Sequence, residues 1–135
     1  MTTYYTVTGQ KIAINVSGQG IFRSGPGGTV TGTKTGSGTT SFAVRAGAEA
    51  EAGMVLAKAK VSVDATLTVS HTESLSRTYT RSITAGKYGN MRWVNWGKRV
   101  TYAKYRTNSN CSRTTLATGV IDYPTDAEGF KYWED

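Results

Sequence analysis

One histidine, one cysteine and nine acidic side chains bound the chemistry open to this 135-residue chain. His71 is followed two residues on by Glu73, which a regular strand would place on the same face. Such a pair can form half of a general-base arrangement. No nucleophile motif accompanies it. Gly-x-Ser-x-Gly is absent, and Cys111 lies between Asn110 and Ser112 with no second histidine to activate it. A solvent-facing polar strand explains His71 and Glu73 with fewer assumptions. One histidine and one cysteine cannot furnish a three- or four-ligand metal site. Gly25-Pro26-Gly27-Gly28 is no phosphate loop, because no Gly-Lys-Ser/Thr follows it. The expectation is a non-enzymatic protein with no catalytic residue, metal or cofactor, and with no small-molecule ligand.

Cations interleaved with aromatics offer a different chemistry. Arg92-Trp93-Val94-Asn95-Trp96-Gly97-Lys98-Arg99 and Tyr102-Ala103-Lys104-Tyr105-Arg106 could stack bases and neutralise phosphates. Alternation sends Trp93 and Trp96 to opposite faces, so at least one of them belongs to a core. Arg92, Lys98, Arg99, Lys104 and Arg106 are therefore read as a basic surface for an acidic partner. A nucleic-acid-binding module ranks third among the functions. The net charge of +7 is unevenly spread. Nine basic residues and no acid lie between Arg77 and Arg113, whereas Asp122, Asp126, Glu128, Glu134 and Asp135 crowd the last fourteen positions. A positive face and a negative tail can pair within one molecule or between neighbours.

The elements that would carry these residues are strands. With 22 Thr and 11 Ser beside 16 Gly, and with eight Tyr and three Trp, the chain favours pleated sheet and turns. Its length suits a single domain, residues 1–135, which needs no disulfide or metal staple. The predicted class is all-β, an elongated antiparallel β-sandwich or twisted sheet. Thr3–Val7 and Lys11–Val16 read as strands broken at Gly9-Gln10. Ser74–Thr84 alternates hydroxyls with Leu75, Arg77, Tyr79, Arg81 and Ile83, so one of its faces is all hydroxyl. Met91–Trp96, Arg99–Thr107 and Ser112–Ile121 complete the set, with turns between them.

Residues 41–72 carry the strongest pattern. Apolar residues occupy even positions from Phe42 to Ala52 and odd positions from Ala57 to Val69. Period-two alternation predicts two strands, and the parity change at Gly53-Met54-Val55-Leu56 predicts a hairpin turn or a bulge. The rival is an Ala-rich helix over 43–60, weakened by Gly47 and Gly53 at about 1 kcal/mol each.

Residues 1–38 raise a separate question. From Ser17 to Gly38 the only large apolar side chains are Ile21, Phe22 and Val30, too few to offset roughly 1–2 kcal/mol of backbone entropy per residue. Tyr4, Tyr5, Ile12, Ile14, Ile21 and Phe22 are nevertheless worth burying. One solution is a Gly/Thr-rich arm that docks on a partner's sheet edge through these six residues. The other is pairing with the chain's own sheet.

Ala46-Gly47-Ala48-Glu49-Ala50-Glu51-Ala52-Gly53, then Lys60-Val61-Ser62-Val63, then the Ser/Thr-alternating strands over Thr66–Ser82 and the Trp/Tyr-rich strands to Thr107 form an ordered series. This series resembles the long-stranded β region of aerolysin-type and epsilon-toxin/mosquitocidal-toxin-like proteins. Members of that superfamily are longer and carry a separate receptor-binding domain. The chain is also similar to short exported β-proteins of actinobacteria, among them the small adaptor (B) subunits of Streptomyces umbrella toxin particles. That resemblance implies an adaptor within a secreted toxin-type complex used in interbacterial competition, with protein partners and no killing activity of its own. The alternative is a short aerolysin-like pore-forming protein that contacts the membrane by inserting an amphipathic β-hairpin over residues 42–69. The Thr/Ser/Gly/Tyr-rich, Glu-poor composition favours the mature form of a secreted protein whose signal peptide has been trimmed.

Overall fold

Among the described residues, hydroxyl, aromatic and β-branched side chains fill ten antiparallel strands, and the fold is all-β apart from one helix. The computed structural model describes residues 2–16, 18–74 and 76–135; Met1, Ser17 and Leu75, the last in the predicted hydroxyl-faced strand, lie outside the described residues. In chain order the strands are β1 (Thr3–Asn15), β2 (Ile21–Ser24), β3 (Thr29–Lys34), β4 (Gly38–Ser41) and β5 (Ala43–Ala46). A 3-10 turn (Glu49–Glu51) and α1 (Ala52–Ser62) follow. Then come β6 (Ser70–Glu73), β7 (Arg77–Ser82), β8 (Gly89–Thr107), β9 (Arg113–Tyr123) and β10 (Glu128–Glu134).

The 19-residue β8 is the spine. On one side it pairs with β1 over residues 94–106 and with β2 over 89–92; on the other it pairs with β9 and β10, and β5 lies outside β9. The predicted breaks at Gly9-Gln10 and Gly97 do not occur. Both glycines continue their strands because the ladder partners on either side are already in register. Within β8, Met91 and Trp93 bury on one face while Val100 and Tyr102 bury on the other. Their positions differ in parity, and neither the β10 nor the β1 ladder shifts register. The two cores therefore sit on opposite faces, at opposite ends of one long sheet.

A second layer covers the Met91–Trp93 end. β3 and β4 pair with β7 and β6 in a single register, from Thr29 opposite Ser82 to Ser41 opposite Ser70. Val30 and Ile83 of this ribbon pack on Met91, with Phe22, Phe130 and Tyr132 around them. Its outward face is the expected row of hydroxyls. Thr31 and Thr80 hydrogen-bond across the strands at 2.9 Å, as do Thr39 and Thr72. On the inward face Lys34 is fully buried, and its Nζ donates to the carbonyls of Gly36 (2.9 Å) and Glu73 (2.6 Å) where the ladder is interrupted.

Residues 42–69 correct the sequence reading. No hairpin forms there, and α1 takes the place of the second predicted strand. Seven of the eleven residues of α1 are Ala, Met, Leu or Lys, which rank among the best helix formers. Ala52, Val55 and Ala59 bury at helical spacing against Val100, Tyr102, Ile121 and Tyr123. Alanine suits either period, so the alternation over 57–63 was a coincidence of Ala and Lys. Val61, an inward position in the strand reading, is 87% exposed. The Tyr123 hydroxyl donates to the Ala52 carbonyl at 2.6 Å and ties the start of α1 to the sheet. Burial of Tyr123 pushes its pKa up to about 12.

Candidate interaction surface

The six residues assigned to a docking arm all lie in the chain's own sheet. Tyr4, Tyr5, Ile12 and Ile14 are on β1, hydrogen-bonded along β8; Ile21 and Phe22 are on β2, against the other end of β8. A free arm over residues 1–38 is thus corrected. Main-chain pairing with β8 and β7 supplies the bonds that the Gly- and Thr-rich side chains could not replace. Phe22 joins the Met91 core, and Tyr5 joins the α1 core with its hydroxyl bonded to Glu51. Burial, and then the Glu51 contact, raise the Tyr5 pKa. Tyr4 packs on Tyr105 at 5.5 Å, and Ile21 stays exposed.

β1 nevertheless has an open side. Among the described residues its only strand partner is β8. The Thr107 amide donates to the Thr2 carbonyl, so the even-numbered residues of β1 direct their backbone groups at β8. The odd-numbered ones, Thr3 to Asn15, direct theirs outward. At the opposite edge of the sheet, β5 is four residues long and interrupted by a register shift. Short, bulged edges resist strand addition; a 13-residue continuous one invites it.

The predicted basic surface divides. Arg99 Nε donates to Asp122 Oδ1 at 2.8 Å, and Arg45 Nε donates to Oδ2 at 2.7 Å. Lys104 Nζ lies 3.5 Å from Glu51 and over the Tyr5 ring. The Glu51 charge raises the Lys104 pKa. Arg92, Lys98 and Arg106 make no ion pair among the described residues. The acidic tail pairs within the molecule: Asp135 meets Arg23, Asp122 holds two arginines, and Glu134 accepts from the Thr84 amide.

Asp122 is 2% exposed. Burial raises its pKa, but the hydrogen bonds and charges of Arg99 and Arg45 outweigh that and hold the carboxyl below the usual range. A carboxylate depressed by folding contributes stability above its unfolded pKa and loses it as pH falls through the folded value. Urea midpoints should therefore fall more steeply between about pH 5 and pH 2 in the native chain than in Asp122→Asn. Equal slopes would show that the two arginines confer no stability through this carboxylate.

A cleft of about 620 Å³ opens between β7 and β10, with Arg77, Tyr79 and Arg81 on one wall and Phe130 and Tyr132 on the other. At its back the Glu128 carboxylate accepts from Trp93 Nε1 (2.7 Å) and Asn95 Nδ2 (3.3 Å). His71 Nε2 lies 3.3 Å from Glu128 without the alignment of a hydrogen bond. The histidine thus meets a carboxylate that the sequence reading did not pair with it, and Glu128 is already committed to Trp93 and Asn95. Glu128 carried no local signal, since Trp93 and Asn95 lie more than thirty residues away, and the burial of Lys34 depends on Glu73, 39 residues on. Compared with known protein families, curated proteins and solved structures, the chain matches none.

Proposed function

We propose that this chain is a non-catalytic interaction subunit of a secreted, toxin-type assembly, and that it binds its protein partner along the open edge of β1. The continuous outward row of backbone groups from Thr3 to Asn15 carries this reading. An incoming strand gains affinity from main-chain bonds and specificity from alternate side chains. Tyr4, Ile12 and Ile14 lie on one face of β1, half-buried, where they can pack against such a strand. The resemblance of residues 40–107 to exported toxin components supports the setting.

Proline separates the two sides of β1, because it removes a single backbone donor. Lys11→Pro deletes an outward N–H and should leave the chain folded while abolishing its recovery in high-mass complexes from the producing culture. Thr8→Pro deletes an N–H bonded to β8 and should lower thermal stability instead. Lys11→Gln keeps the donor and should assemble normally. A native protein that runs only as a monomer, or a Lys11→Pro variant that still assembles, overturns the proposal.

A further inference from the structure

Register places like charges directly opposite one another twice on one face of β8. Lys131 of β10 faces Arg92, and Lys11 of β1 faces Lys98. Positions 92 and 98 share parity in an unbroken strand, so both pairs project from the same side. Directly opposed like charges destabilise a sheet. The Lys11–Lys98 pair is of the non-hydrogen-bonded type, in which side chains come closest. None of the four cations makes an ion pair among the described residues. The nearby acids are engaged elsewhere or farther off: Asp135 holds Arg23, and Asp64 feels Lys98 only through its charge. Arg92 Nε is buried with no hydrogen-bond partner. Repulsion retained in this way, with no carboxylate paired to any of the four cations among the described residues, is the arrangement an anion would relieve.

We infer that this face binds the backbone of a linear phosphodiester polyanion. The two cation pairs stand roughly 20 Å apart, six residues at about 3.3 Å each, too far for one compact anion to bridge. A chain of phosphates running along β8 meets both. Trp96 lies between them and Trp133 beside Lys131, but both rings already carry a cation: Lys11 Nζ is 5.4 Å from the Trp96 centroid, and Lys131 Nζ is 5.7 Å from that of Trp133. The tryptophans position the ammonium groups instead of stacking bases. An anionic bilayer fits less well, because both indoles are half-buried and Ile21 alone projects as an apolar anchor among the residues that flank Arg92.

The test uses the intact chain and fluorescent oligo-dT long enough to span both pairs, with an abasic phosphodiester chain of equal length beside it. Both probes should bind equally, with affinity falling as salt rises. Arg92→Gln, Lys98→Gln and Lys131→Gln should each weaken binding severalfold and lower the salt slope by about 0.7 per lost contact. Lys87→Gln, an exposed cation in the turn before β8, should leave the slope unchanged. Lys131→Gln should also keep or raise the melting temperature, since it removes a repulsion. Equal effects of on-face and off-face variants, or no binding at low salt, would mean that only net charge is at work. Loss of binding to the abasic chain would overturn backbone readout, and a lowered melting temperature in Lys131→Gln would assign that residue a structural role.

Discussion

A chain lacking residues 2–15 should not fold. Its circular dichroism should show loss of the β-sheet signal, and it should elute as aggregate instead of as a monomer. The deletion removes a ladder thirteen residues long and strips Tyr5 and Val7 from the core beneath α1. Burying side chains of this kind contributes about 1.5–3 kcal/mol each, against a total stability of about 5–15 kcal/mol for an ordinary domain. The deletion also bares the edge of β8 from Val94 to Arg106, a long unpaired strand of the kind that templates aggregation. A truncated chain that melts cooperatively near the native temperature would show β1 to be an appendage after all.

Gly97→Ala is expected to be strongly destabilising. Gly97 sits where β1, β8 and β9 meet, and a Cβ there would fall far inside contact with the Tyr123 carbonyl oxygen and the Ile14 side chain. The carbonyl is backbone and cannot rotate away, so the strands would have to part. Overpacking of this sort costs about 1–3 kcal/mol, and a clash with main chain lies at the upper end. Gly53→Ala offers the opposite sign. Gly53 is the second residue of α1, exposed, with open space around its α-carbon. Alanine there should stabilise the chain by about 0.5–1 kcal/mol, because it favours the helix over the unfolded state. Thermal melts of the two variants should straddle the native curve. A Gly53→Ala variant with a lower melting temperature would contradict a helix over Ala52–Ser62.

Where the sequence reading and the structure part company, the cause is the distance over which the deciding contact acts. Hydroxyl alternation over Ser74–Thr84 was readable because a strand's two faces are written in adjacent positions. Residues 52–62 were misread because alanine satisfies a period of two and a period of 3.6 alike. What chose the helix was the apolar patch of Val100, Tyr102 and Ile121, some forty residues on or more. Gly9 and Gly97 were read as breaks because a glycine is locally weak, yet each is held inside a ladder that only the folded sheet provides.

Residue types by themselves determined that the chain would be mostly strand and that its centre would be basic and its tail acidic. Tertiary structure alone decided that β1 pairs with β8, that Asp122 gathers Arg45 and Arg99, that Lys34 is buried, and that Lys131 faces Arg92 while Lys11 faces Lys98. Composition and period act between neighbours in the chain, whereas register and burial join residues tens of positions apart and exist only once the sheet has closed.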